Sequence, residues 1–360
     1  MIDVVQEWLQ SGQPAFVNGL ELVPRPVPGL PGVPLVASMG QAQAYYLREA
    51  TNSLWILKKF LPGRSPDVNY IRAIQALIPN KPGLESGYER RVLAPTDVSG
   101  AGYHTTDFAD WLENTILMRM VSGDSWANLA DTIRDGSRSF TVDERVSLCR
   151  KLSEKIQYLE QCDLSHRDLS STNVFVDWRT LEVHLIDWDS LYHSTLTMPQ
   201  NTTFGTTGYI APFVKVNGTE VPQVSWTVRS DRFGLAMLNA EFLSLDTGSP
   251  LTGDGGAFDQ DEIYSRGGPG IAAICDKVRV SCPAAVPLIE RSLSASKFDE
   301  CPGPGEWSRA VTVRTSTRAV TPVGPGRQPL VRLNRDAFVK LDKSAFVKVD
   351  REAFARPPVR

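Results

Sequence analysis

No run of apolar residues in this chain approaches the roughly 18–20 needed to cross a bilayer, so no membrane span is expected. The opening MIDVVQEWLQSG lacks both the basic region and the apolar core of a secretory leader. A short amphipathic helix is expected there instead. Paired cysteines are also missing: Cys149, Cys162, Cys275, Cys282 and Cys301 form no C-x-x-C and no metal-ligand spacing. Reduced thiols in a cytoplasmic protein are therefore expected, with Cys149 a core residue rather than a nucleophile. Net charge is small, at −3, which argues against nucleic-acid binding by bulk electrostatics. What is present is 42% apolar and 22% charged residues over 360 positions, the composition of a globular protein with a sizeable core.

Along the chain, residues 1–33 suggest a helix, a loose strand and a proline-rich lead-in, PRPVPGLPGVP. PLVASMG, AYYLREA and LWILKKF then form three β-prone runs separated by turn-like GQAQ and TNS, the pattern of an antiparallel meander. Ser65-Pro66-Asp67 opens a predicted helix on which Ile71, Ile74, Leu77 and Ile78 share a face. A second helix is predicted through ESGYERRVLA, and NTILMRMV reads as a strand. SWANLADTIRDG and TVDERVSLCRKLSEKIQYLEQC have strong helical periodicity, and helix and loop continue to about residue 310. The expected fold class is α+β and bilobal, with a small antiparallel β-rich lobe over about 34–118 and a larger helical lobe over about 122–310.

Beyond residue 310 the composition changes. Residues 311–333 read as a flexible linker rich in Pro, Gly and Thr. Residues 311–360 contain eleven Lys and Arg against four Asp and Glu, a balance of +7 that leaves −10 for the rest. Residues 334–357 hold three eight-residue repeats, NRDAFVKL, DKSAFVKV and DREAFARP. Eight is even, so on an extended chain Phe338, Phe346 and Phe354 share a face with Lys340, Lys348 and Arg356. Either a hairpin docked on the parent domain or three copies of a partner-binding peptide satisfies the pattern.

The stretch LSHRDLSSTNVFVDWRTLEVHLIDWDSLYH, residues 164–193, concentrates Asp168, Asn173 and Asp187 between apolar runs. Metal-dependent phosphoryl transfer needs such a set: one carboxylate to take or orient a hydroxyl proton, and a carboxylate with an amide oxygen to hold Mg²⁺ against phosphates. Over roughly residues 34–310 the chain resembles the eukaryotic-like protein kinase family, in the style of divergent bacterial members. HRDLSSTN is similar to that family's catalytic loop, which implies roles for His166, Arg167, Asp168 and Asn173. DWD stands where the family has Asp-Phe-Gly, and GTTGYIAP resembles the end of its activation segment. SDRFGLAML resembles the helix whose aspartate, here Asp231, braces the catalytic loop. ILMRMVSGDSW resembles the hinge, which puts Met118 beside the adenine and the backbone of Arg119, Met120 and Val121 against it. WILKKF makes Lys58 the phosphate-binding lysine. YERRVL nominates Glu89 as its partner, with Glu85 a rival and Gln75 at the usual separation.

Several departures accompany the resemblance. SMGQAQ keeps only Gly40 of the glycine-rich loop, where backbone N–H groups must approach phosphates closely. Ser170 replaces a lysine that stabilises transition-state charge. Asp189 replaces a glycine and is a candidate extra metal ligand. Phe213 and Cys301 stand where the family has a buried glutamate–arginine pair. Losing both members together is far cheaper than the roughly 3–5 kcal/mol of losing one. Hydroxyls in HSTLTMPQNTTFGTT are candidate phosphorylation sites, with Arg167 to receive the phosphate.

The resemblance thus implies an ATP- and Mg²⁺-dependent protein kinase acting on serine or threonine. Its rivals are a nucleotide-binding pseudokinase that recruits partners through the tail repeats, and a small-molecule phosphotransferase. LIDWDSLYH is also similar in style to bacterial kinase-like proteins associated with a metal-dependent protein phosphatase, a potential partner by analogy.

Overall fold

The alternation of apolar and polar residues in AYYLREA and LWILKKF gives each strand two different faces, and both faces need cover. In a computed structural model of the chain, which describes residues 4–38, 40–199, 205–216, 219–250, 256–311, 338–342 and 345–348, both are covered. The architecture is α+β: a curled antiparallel sheet in the N-terminal part and helices in the C-terminal part. Two units separate, one from Met1–Ala76, Glu85–Val121 and Val320–Arg360, the other from Leu77–Leu84 and Ser122–Ala319.

The first unit runs α1 (Val4–Ser11), β1 (Ala15–Val17), β2 (Leu20–Pro24), β3 (Pro26–Val27), β4 (Leu30–Pro34), β5 (Val36–Ser38), β6 (Ala42–Glu49) and β7 (Leu54–Phe60). It continues through α2 (Val68–Gln75), α3 (Glu85–Tyr88), β8 (Arg91–Val92), β9 (Val98–Gly102), α4 (Thr106–Leu112) and β10 (Ile116–Arg119). The sheet order is β8-β10-β7-β6-β2-β1-β9, with β5 also pairing to β6. Tyr45, Leu47, Trp55, Leu57 and Leu117 bury one face against Val5 and Trp8 of α1 and Phe108 and Leu112 of α4. Ala42, Phe60 and Ile116 point to the other face and pack on Ile71 of α2. Trp8 stands 5.0 Å from the Phe108 ring, so the two covering helices are joined by aromatic contact.

Three sequence expectations need correction here. The lead-in is structural: β1 and β2 are internal strands of the sheet, and β3 and β4 pair through the turn at Gly29, whose φ is +82°. The helix opened by Asp67, whose carboxylate accepts from the N–H groups of Asn69 and Tyr70, stops at Gln75, so Leu77 and Ile78 leave its face. Ile78 precedes Pro79, and a residue before proline disfavours helix. ESGYERRVLA is helical only over α3, because Arg91 and Val92 complete the sheet edge beside Leu117 and Ile116. The segment 98–112, for which no element was expected, supplies β9 and α4.

The second unit contains β11 (Asp124–Ser125), α5 (Trp126–Arg134), α6 (Val142–Gln161), β12 (Leu164–Ser165), β13 (Val174–Asp177), β14 (Glu182–Leu185), β15 (Tyr192–His193), β16 (Lys215–Val216), β17 (Thr219–Glu220), α7 (Asp231–Ser244), α8 (Gln260–Tyr264), α9 (Pro269–Ser281), α10 (Val286–Ser294) and α11 (Pro304–Ala310). Thr141 and Glu144 form a reciprocal capping box that starts α6. α7 is buried nearly all round, as expected of a central helix without an amphipathic stripe. Arg232 on α7 holds both carboxylate oxygens of Glu160 on α6, at 2.7 and 2.9 Å. The segment 77–84 joins this unit: Gly83 O accepts from Leu185 N at 2.9 Å, and Pro82 O from Lys155 Nζ at 2.8 Å. Towards the C-terminus, β18 (Phe338–Asp342) and β19 (Ala345–Lys348) form an antiparallel pair. Residues 312–333 of the expected linker, and residues 334–337, 343–344 and 349–357 of the repeats, Phe354 and Arg356 among them, lie outside the described residues. Among the described residues no helix is long and apolar enough to cross a membrane.

Candidate active site

The catalytic-loop residues lie between two short strands, β12 and β13. Asp231, at the start of α7 and 2% exposed, accepts from the backbone N–H of His166 at 2.6 Å and of Arg167 at 2.7 Å. Those two bonds hold Arg167 at φ +64°, a left-handed conformation that a non-glycine residue adopts only when its surroundings impose it. Burial pushes the Asp231 carboxyl above its ordinary range, and the bonds from the loop backbone oppose that rise. Gly234, one turn along α7, permits the close approach: a Cβ there would stand 2.8 Å from Leu169 O.

His166 joins the loop to the LIDWD stretch. Its Nε2 lies 2.7 Å from Ile186 O, so Nε2 is the protonated nitrogen, and its ring packs at a tilt on buried Trp188, with 4.8 Å between ring centres. Trp188 thus fills the place of the family's phenylalanine. The pairing of β13 with β14 then sets the metal-binding candidates together. Val174 is opposite Leu185, and Ile186 N donates to Asn173 O at 3.0 Å, so Asn173 and Asp187 leave the same end of one hairpin.

Asp168 is contacted from two sides. Thr206 Oγ donates to its Oδ1 at 2.9 Å, and Asn173 Nδ2 donates to its Oδ2 at 2.9 Å and to its carbonyl at 2.9 Å. Burial and the nearby Asp187 charge push the Asp168 carboxyl up, against those hydrogen bonds. Because Asn173 spends Nδ2 on Asp168, its Oδ1 is the atom left to face a cation. One amide oxygen and the Asp187 carboxylate suit Mg²⁺, which takes few protein oxygens and completes its shell with water and phosphate. An all-protein cage is a different matter: no group of three or more His, Cys, Asp and Glu suited to a metal occurs among the described residues. Asp187 itself takes the positive φ, +64°, and Asp189 does not, so the backbone has no local need for glycine at 189. Ser170 is fully buried beside Thr172, with 3.0 Å between their hydroxyls, and brings no cation to the loop.

Arg167 is used differently from its expected role as a phosphate receptor. It is 5% exposed; Nε and Nη2 donate to the carbonyl and hydroxyl of Ser225, Nη1 donates to Ser190 O, and the group stacks 4.7 Å from the Trp226 ring. Residues 200–204 of the hydroxyl-rich segment lie outside the described residues. The end of that segment is anchored by a group no sequence pattern singled out. Glu241 on α7 is 1% exposed and accepts from Tyr209 Oη at 2.9 Å, Trp126 Nε1 at 3.0 Å and Ala257 N at 2.8 Å. Burial pushes its carboxyl up to about 7 despite those bonds.

Where the family has the buried ion pair, an apolar contact of Phe213 with a residue other than Cys301 is found. Phe213 packs edge-on against Phe298, with 4.7 Å between ring centres. Cys301 is buried three residues further on, and burial pushes its thiol up to about 12.

In the N-terminal unit, register places Lys58 between Ala44 and Ile116 on neighbouring strands, and Met118 opposite Ile56. By the two-residue period, Lys58, Ile116 and Met118 share a sheet face with Phe60. Lys58 is 5% exposed, with Nζ 5.2 Å from the centre of the Phe60 ring. Glu89, beyond the end of α3, stands 4.0 Å from Arg119 Nε, so its carboxylate faces the last residue of β10. Glu85 opens α3. Gln75 is spent on the sheet edge, where its Oε1 accepts from Val92 N at 3.1 Å. Met120 N–H donates to Leu54 O at 3.0 Å, which leaves Arg119 and Val121 as the backbone candidates for a ligand. Gly40 sits in the β5–β6 turn, where an added Cβ would meet nothing within 4 Å.

Residues 106–257 match the family model described as the protein kinase domain. No curated protein matches the chain.

Proposed function

We propose that this protein kinase-like chain is an ATP- and Mg²⁺-dependent protein kinase that transfers the γ-phosphoryl group to serine or threonine hydroxyls. The observation that supports it most is Asp168. Its Oδ1 already accepts a hydrogen bond from an aliphatic hydroxyl, Thr206 Oγ at 2.9 Å, in a loop whose backbone is fixed by Asp231. An acceptor serine needs the same interaction. Asp168 orients the acceptor hydroxyl and takes its proton, and its raised carboxyl makes it a better base than an ordinary aspartate once ionised. Asn173 and Asp187 supply oxygens for Mg²⁺, which, when bound, neutralises phosphate charge. Lys58 would hold the α- and β-phosphates, Met118 would flank the adenine, and the backbone of Arg119 and Val121 would bind its edge. The place of action is the cytoplasm, in keeping with five free thiols.

The test is [γ-³²P]ATP transfer to a serine-containing basic protein, by the parent chain and by Asp168→Asn. Loss of about 10²–10⁴-fold in the variant, with Mg-ATP binding retained, is the expected result. Equal rates would remove Asp168 from the chemistry. A nucleotide-binding pseudokinase has one observation in its favour: the buried, uncharged Ser170 where the family has a lysine. Mg-ATP binding without any transfer would select it.

A further inference from the structure

Arg167 is gripped at both ends by one short stretch, residues 225–231. Asp231 takes its backbone N–H at 2.7 Å, while Ser225 takes its side chain. Nε donates to Ser225 O and Nη2 to Ser225 Oγ, each at 2.9 Å. The remaining nitrogen, Nη1, donates to Ser190 O at 3.1 Å. Ser225 is itself buried and closes the short turn Pro222–Ser225 that precedes α7.

We propose that Ser225 is a positioning residue for phosphoryl transfer. It fills the Arg167 guanidinium with the chain's own oxygens, so the catalytic loop holds Asp168 in place without a phosphate on the chain. The proposal rests on the protein kinase reading above.

A guanidinium presents parallel N–H groups in a rigid fork, which suits two oxygens of one phosphate or carboxylate. The carbonyl and hydroxyl of Ser225 meet that fork with two oxygens from a single residue. An incoming phosphate would have to displace both and draw out a side chain that is almost wholly buried. Leaving Ser225 Oγ and Ser190 O without those donors opposes the exchange, since an unmade buried hydrogen bond is costly.

The packing around the fork points the same way. The Trp226 ring covers the guanidinium at 4.7 Å, and Tyr192 meets Trp226 edge-on at 5.3 Å. Tyr192 pairs across β12 and β15 with Ser165, two residues before Arg167. Ser165 Oγ lies 2.6 Å from Ser230 Oγ, so the contacts run from the loop through Trp226 and back to the loop. Ser190 follows Asp187 by three residues. One arginine therefore ties the segment of Asp168 to the segment of Asp187, and Ser225 fixes that arginine.

The experiment uses the full chain, dephosphorylated by a phosphatase that is then removed, with radiolabelled Mg-ATP and a basic serine peptide as acceptor. The parent is expected to transfer at its full rate from the first time point, and preincubation with unlabelled Mg-ATP leaves that rate unchanged. Ser225→Ala deletes a single oxygen. Its kcat is expected to fall about 10-fold or more, the rate equivalent of one hydrogen bond to a charged group, with KM for Mg-ATP retained. A merely structural role would not confine the loss to kcat. An unchanged kcat in Ser225→Ala, or a loss that appears in KM instead, overturns the inference and leaves the kinase reading standing. A parent rate that starts near zero and climbs as phosphate accumulates on residues 193–207, read by mass spectrometry, overturns it too. No transfer by the parent under either condition removes the kinase reading and the inference with it.

Discussion

Glu241 gives the most direct physical test of the helical unit. Its carboxylate is buried and receives three hydrogen bonds, all from neutral donors: Tyr209 Oη, Trp126 Nε1 and Ala257 N. Burial lifts it from an ordinary 4.5 to about 7. The folded state therefore holds this proton more tightly than the unfolded chain does. The contribution to stability is fully present below about pH 4.5 and is lost as pH rises through about 7. At 1.36 kcal/mol per pKa unit the loss is about 3 kcal/mol, a large part of the 5–15 kcal/mol typical of a domain. Glu241→Gln cannot ionise and removes this dependence while keeping the side chain's shape. Guanidinium unfolding of parent and variant, followed by tryptophan fluorescence from pH 4.5 to 8, gives the difference directly. The parent is expected to lose about 3 kcal/mol relative to the variant across that range, with most of the change below pH 7. A difference flat to within about 0.5 kcal/mol, or one of opposite sign, would refute the assignment of a buried, uncompensated carboxylate.

Two further outcomes follow from the same helix. Asp231→Ala leaves the N–H groups of His166 and Arg167 without their acceptor and releases the left-handed Arg167. At about 1–3 kcal/mol per buried unsatisfied group, a loss of several kcal/mol is expected by denaturant titration, with phosphotransfer lost in parallel. Gly234→Ala puts a methyl group 2.8 Å from Leu169 O, against backbone that cannot rotate away. Overpacking of this kind costs roughly 1–3 kcal/mol; a melting temperature equal to the parent's would show that α7 stands further from the loop.

The local devices of the fold were legible because neighbouring residues supply them. Asp67 capping α2, the Thr141–Glu144 box of α6 and the alternation of β6 and β7 are all short-range patterns. So was the order of the chemical groups His166, Arg167, Asp168, Asn173, Asp187 and Asp231, which the family resemblance assigned to a catalytic loop, a metal-binding stretch and a bracing helix. The helix expected through ESGYERRVLA stopped early: YERRVL has helical periodicity, but the edge of β10 drew Arg91 and Val92 into a strand. Hydrogen bonding of a long sheet outweighs the preference of a four-residue helix.

By itself, then, the sequence determined the family resemblance, the α+β class and the grouping of His166, Arg167, Asp168 and Asn173 in one loop, the last because it depends on separations of a few residues. Only the tertiary structure decided what closes over distance: β1, β2 and β9 widening the sheet, Phe213 meeting Phe298, Thr206 reaching Asp168 and Glu241 gathering three donors. Each of these joins residues from about 16 to more than 110 positions apart, or strands that are not neighbours along the chain. Such pairings are chosen by which buried groups need a partner once the core has formed, a demand that no local pattern records.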